Sequence, residues 1–259
     1  MLTWQDFPTD EDKIPDFISQ MIAEHEQNEA VEMARTANLY DHQKNKTVNE
    51  YVQKIYSSTG VSVRNYVASN NKIASNFFRR LNTQRCAYSL GNGVTFASDK
   101  DTDGKVKQDG GTKAKLGKTF DTELYRAGYL ALIHGVSFVF FNFDHIHVFP
   151  LTEFVPLWDE NDGTLRAGLR YWRIDGTKPT IAVLYTEDGY RRFKSKSGYA
   201  RFEKDGDLRA YKQTISKAPA DAEPEVIAEE NYSRLPIVPL WGSRLHQSTL
   251  VGLQQSIDS

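Results

Sequence analysis

Among 259 residues there is a single cysteine, Cys86. That excludes a disulfide within the chain and any zinc site built on several cysteines. No stretch approaches the ~18 consecutive apolar residues that a membrane-spanning helix needs. The opening stretch MLTWQDFPTDEDKIPDF is acidic and aromatic, without the basic start and apolar run of a secretory signal. A soluble, cytosolic chain with no membrane partner is the expectation. There is also no excess of positive charge, since 32 Lys and Arg stand against 34 Asp and Glu. Without a chain-wide basic field, any contact with DNA is expected to be local and weak. Neither G-x-S-x-G nor H-E-x-x-H occurs, so two common catalytic signatures are missing. The glycine-rich SLGNGVTF lacks the Lys-Ser/Thr of a phosphate loop and reads as a turn.

What is present is an ordered, rather polar chain. A hydrophobic share of 39%, with 12% aromatic residues, can build a real core. The mean hydropathy of -0.56 predicts a large solvated or interface surface. After Pro15, apolar residues at helical intervals (Phe17, Met21, then Ala30, Ala34 and Ala37) predict a long N-terminal helix. Residues 45–63 read as mixed and partly helical. Ile73, Phe77, Leu81 and Tyr88 lie near one stripe of a second helix, which Gly91 and Gly93 end before a short strand over Val94–Phe96. SDKDTDGKVKQDGGTKAKLGK reads as a surface loop. TFDTELYRAGYLALIHG carries the clearest helical pattern, with Gly135 at its C-terminal stop.

From Val136 the period changes to two. VSFVFFNF, HIHVFP, EFVPLWD, LRAGLRYWRI, TIAVLYT, GYRRFKS, YARFE and LRAYKQ read as strands, with hairpin signals at Asp162-Gly163, Asp188-Gly189 and Asp205-Gly206. The prediction is an α+β fold: N-terminal helices followed by a mostly antiparallel meander of five or more strands. SKAPADAEPEVIAEENYSR reads as a loop, and LPIVPLWGSR as an extended apolar segment. In the final STLVGLQQSIDS, Ser248 is a helix cap, and Leu250, Leu253 and Ile257 share one helical face.

Several constellations could carry chemistry. His145 and His147 point the same way from a strand and could present two imidazoles to one metal, with Asp144 beside them. The bland reading is two histidines on the polar side of a strand. Asp99, Asp101, Asp103 and Gly104 match positions one, three, five and six of a calcium loop, and Val106 the eighth. Position twelve is Gly110 where a bidentate Glu should close the shell, so a solvated loop is the expectation. The pairs Arg79-Arg80 and Arg191-Arg192 could touch phosphate, but such pairs usually belong to solvated faces. Cys86 lies in a helical stripe, where a small buried thiol is ordinary. No catalytic residue, cofactor site or metal site is assigned from the residues.

Three stretches, in order, resemble the portal proteins of tailed bacteriophages, in the siphophage branch of Gram-positive hosts. They are NNKIASNFFRRLNTQRCAYSLGNGVTF, then YRAGYLALIHGVSFVFFNFDHIHVFPLTEFVPLWDEN, then LPIVPLWGSRLHQSTLVGLQQSIDS. The likeness runs from about Asn70 over most of the chain. It implies a head-tail connector subunit, not an enzyme: a ring, usually of twelve copies, at one capsid vertex of the virion. Double-stranded DNA passes through such a ring during packaging and ejection. Its implied partners are itself, capsid and scaffold proteins, and the terminase and head-tail adaptor through parts not seen here. It would be assembled in the cytoplasm of the bacterial host. By this likeness residues 1–45 are a helical arm, 46–247 the portal wing, and 248–259 the first turns of a truncated stem helix. The apolar stripe of that stub is then expected to lack its neighbours. The competing readings are a metal-dependent hydrolase using Asp144, His145 and His147, or a binding module stiffened by calcium at the Asp99 loop.

Overall fold

The N-terminal sequence folds as two helices where the periodicity predicts one. In the computed structural model, which describes all residues except 1, 68, 70, 71, 101–105, 109, 217–225 and 259, short 3-10 turns at Trp4–Asp6 and Glu11–Lys13 lead into α1 (Ile14–Glu26) and α2 (Glu29–Asp41). Asn28 makes the break. Its backbone is extended, and its side-chain oxygen accepts from the Ala30 amide, which starts a new helix. One turn, α3 (Lys46–Asn49), and a small hairpin of β1 (Lys54–Tyr56) and β2 (Ser62–Arg64) follow. Next come α4 (Phe77–Leu90), an antiparallel pair β3 (Ala97–Lys100) and β4 (Val106–Gln108), α5 (Gly110–Lys115) and α6 (Phe120–His134). The strand predicted at Val94–Phe96 thus begins at Ala97, and the predicted surface loop carries a two-stranded ladder and a short helix. Polar composition hid both, because the stretch carries almost no apolar residues to show a period.

Strands carry most of the rest of the fold. They are β5 (Val136–Asn142), β6 (His145–Pro150), β7 (Phe154–Trp158), β8 (Leu165–Trp172), β9 (Thr180–Thr186), β10 (Gly189–Ser195), the two-residue β11 (Glu203–Lys204) and β12 (Lys212–Ile215). Then come β13 (Val226–Glu230), β14 (Ile237–Trp241) and α7 (Gln254–Asp258). Strands β7 to β11 form the expected antiparallel meander, ordered β11-β10-β9-β8-β7. The others leave it: β14-β5-β6 is a separate three-stranded sheet, and β12 pairs with β13. Residues 226–230, predicted as loop, are therefore a strand. Pro239 in β14 is tolerated because this strand lies at the sheet edge.

The layers follow from which residues alternate. On α1, Ile14, Phe17, Ile18, Met21 and Ile22 form one apolar face. That face packs on Val155, Leu157, Ala167, Leu169, Ala182, Leu184 and Phe193 of the five-stranded sheet. The intervening positions Phe154, Val183 and Tyr185 point the other way, onto Phe138, Phe140 and Phe149 of the three-stranded sheet. The large sheet is covered on both faces, which is why β9 reads as a nearly continuous apolar run. Burying each large side chain contributes roughly 1.5–3 kcal/mol. Helix α6 lies against β5 and β6, and the buried Ser137 hydroxyl donates to the Ala127 carbonyl across that seam at 2.8 Å. Gly135 stops α6 at φ 90°. A Cβ there would come within 3.1 Å of the Gln247 and Ser248 backbone.

The C-terminal stripe has its neighbours in its own chain, contrary to expectation. Leu250 is fully buried, with Leu253 and Ile257 beside it, against Ala37, Tyr40, Phe78 and Ile133. Ser248 caps the turn by accepting from the Leu250 amide at 3.1 Å. Asp258 accepts from the Tyr40 hydroxyl at 2.5 Å and from Thr47 at 3.1 Å.

Candidate functional site

The residues singled out by sequence go to different places. Asp101, Asp103 and Gly104 lie outside the described residues, while Asp99 belongs to β3. Cys86 is buried on the inner face of α4, where its thiol donates to the Tyr125 carbonyl and burial raises its pKa. It is a packing thiol. Arg191 is paired with Glu11 at 3.1 Å and Arg192 with Asp205 at 3.1 Å, so both cations are already matched. Arg79 and Arg80 are exposed on the first turn of α4. His145 and His147 do share a face, with Nε2 atoms 3.0 Å apart, and Asp144 lies 2.5 Å from His145 Nδ1. Among the described residues, no three His, Cys, Asp or Glu side chains converge as a metal cage.

Sequence reasoning missed a cleft between the two sheets. It encloses about 450 Å³ and is walled by Phe140, Phe149, Trp172, Tyr185, Tyr190 and Tyr211, with Asn142 and His147 at the β5–β6 side. Inside it, the Arg170 guanidinium stands 4.6 Å from the Phe149 ring centre and 4.7 Å from that of Trp172. This is cation–π geometry on two rings at once. Its Nε is buried with no partner, and its ion pair to Glu153 is long, 3.7 Å. Burial pushes the Tyr185 hydroxyl up to about 12 and raises that of Tyr211, which donates to the Thr186 carbonyl at 2.7 Å. Both stay neutral phenols. The sequence signal was the aromatic period-two pattern itself, which reads as ordinary core until two facing sheets separate.

A second hollow, of about 720 Å³, lies where the N-terminal strap with Trp4, Phe7 and Pro8 crosses the sheet near Leu184 and Leu208. Two of its acids, Glu11 and Asp159, are already engaged. Asp159 accepts from the Asn161 amide, Gln5 and Arg166, which hold its carboxyl down at about 2.

The outer surface is less ordinary than the cavities. Helix α4 buries Phe78, Asn82 and Cys86, and turns Phe77 (67% exposed) and Tyr88 (92%) outward. Leu81 is exposed on the same helix face, whereas Ile73, expected on that stripe, is exposed in the segment before the helix begins. The stripe predicted from periodicity is thus the external one. The β1–β2 hairpin adds Ile55, Tyr56, Val61 and Val63, all more than half exposed. Isolated exposed apolar residues are common, but a helix with an apolar outer stripe and a hairpin with four exposed apolar residues each mark an interaction surface.

An α+β body that turns an apolar helix stripe and an apolar hairpin outward fits the class of structural proteins that work by assembling. The family comparison makes that class specific: the profile of the phage portal proteins, SPP1 Gp6-like, matches residues 19–241. The chain belongs to this family of phage portal proteins, which are structural virion components associated with the capsid and built as homo-oligomeric rings. No curated protein matches the sequence.

Proposed function

We propose that this chain forms the wing of a portal ring at one capsid vertex, the conduit through which double-stranded DNA is packaged and later leaves, and joins head to tail without catalysing a reaction itself. The ring is usually of twelve copies in this family, with terminase, head-tail adaptor and scaffold as its further contacts. The wing corresponds to residues 46–247, with the helices of residues 1–45 packed on it. The observation that carries the reading is the outward apolar stripe of α4 in a chain of this family. In a closed ring each subunit contacts its neighbours head to tail, through two different surfaces. A helix that exposes Phe77 and Tyr88 in the isolated chain supplies one of them.

The charge balance suits the same role. A channel must let DNA slide, and every phosphate neutralised by Lys or Arg adds a grip that must be broken. A net charge of -2 avoids that grip over the chain as a whole. The test is the solution mass of the wild type beside Phe77→Asp/Tyr88→Asp. Association of the wild type that the double variant loses, with unchanged circular dichroism, is expected. Equal masses for the two would remove α4 from the contact.

A further inference from the structure

His145 and His147 occupy alternate positions of β6, so the pleat sends both imidazoles to one face. Asp144 Oδ1 lies 2.5 Å from His145 Nδ1 and accepts the proton on it. In that tautomer His145 Nε2 accepts a 3.0 Å hydrogen bond from His147 Nε2–H, whose proton an incoming ion would replace. Two nitrogens this far apart subtend about 95° at an ion roughly 2.05 Å from each, and an opening of about 0.3 Å reaches the tetrahedral angle. The ring of Phe140 lies nearly parallel to His147, at 11° and 6.5 Å, and fixes its plane at the mouth of the inter-sheet cleft.

We infer that His145 and His147 form an open two-nitrogen site for a borderline divalent ion of the zinc or nickel class, with Asp144 orienting the first imidazole and solvent completing the shell. Calcium and magnesium are disfavoured because the converging atoms are imidazole nitrogens, not oxygens. The site is independent of the portal reading: it concerns the hairpin edge, not the α4 surface.

Isothermal titration of zinc chloride into the intact chain tests it. One equivalent per chain is expected, abolished in His145→Gln and in His147→Gln, and weakened about 10–100-fold in Asp144→Asn. His42→Gln, on an exposed histidine elsewhere, leaves the titration unchanged. All four side chains are at the surface, and circular dichroism checks that each variant folds. Absence of binding, or binding that persists in either histidine variant, overturns the site. Full affinity in Asp144→Asn overturns the orienting role.

Discussion

Gly168 lies under the ring of Phe154: a Cβ built on it would stand 2.0 Å from Phe154 Cζ. The ring is wholly buried between two sheets, its centre 4.4 Å from that of the tilted Phe138 ring, so it has nowhere to go. Gly168→Ala is therefore expected to cost about 1–3 kcal/mol by overpacking, read as a lower urea midpoint with an unchanged slope. A midpoint equal to wild type would mean that the sheets separate easily. His25 and His134 make a second prediction at this scale. Both are buried, both are held down at about 4 by burial, and each has one ring nitrogen without a partner. In the unfolded chain an imidazole titrates near 6.5. Between those values the unfolded state binds more protons, so stability falls as pH drops from about 6.5 toward 4. The loss is roughly 2 kcal/mol per histidine by pH 5. Urea midpoints at pH 7 and pH 5 check this. A midpoint that does not fall, or a His134→Gln variant with the full slope, would contradict it.

At the scale of elements, the C-terminal segment is the informative case. Leu250 is fully buried among α2, α4 and α6 residues, so Leu250→Ala should lower stability by about 2–5 kcal/mol. A loss below 1 kcal/mol, measured by thermal or urea unfolding, would show that the segment docks only loosely. The sequence revealed the cap at Ser248 and the stripe of Leu250, Leu253 and Ile257, because capping and 3.6-residue spacing are local. It could not reveal what the stripe touches, since Ala37, Phe78 and Ile133 are remote in the chain. The same limit explains α4. Periodicity found Ile73, Phe77, Leu81 and Tyr88, but an apolar outer stripe and an apolar inner one have the same period. The meander was legible in its Asp-Gly turns and alternation. The separation of β5, β6 and β14 into a second sheet was not, because alternation is identical whichever sheet a strand joins. The cleft that this separation creates was hidden for the same reason. His145 and His147 were legible as a pair because a strand period of two needs no partner.

At the scale of the molecule, a packed apolar interior contrasts with apolar residues left on the exterior. The inside holds two cores on either face of one sheet and a third among the helices. The outside holds the α4 stripe and the β1–β2 hairpin, whose burial in a neighbour would remove surface the isolated chain leaves in water. The most direct test is negative-stain imaging of the purified chain over a range of protein concentration and salt. Closed rings with a central hole, absent from Phe77→Asp/Tyr88→Asp, are the predicted result. Monomeric particles under every condition, or rings that persist in the double variant, would contradict the account.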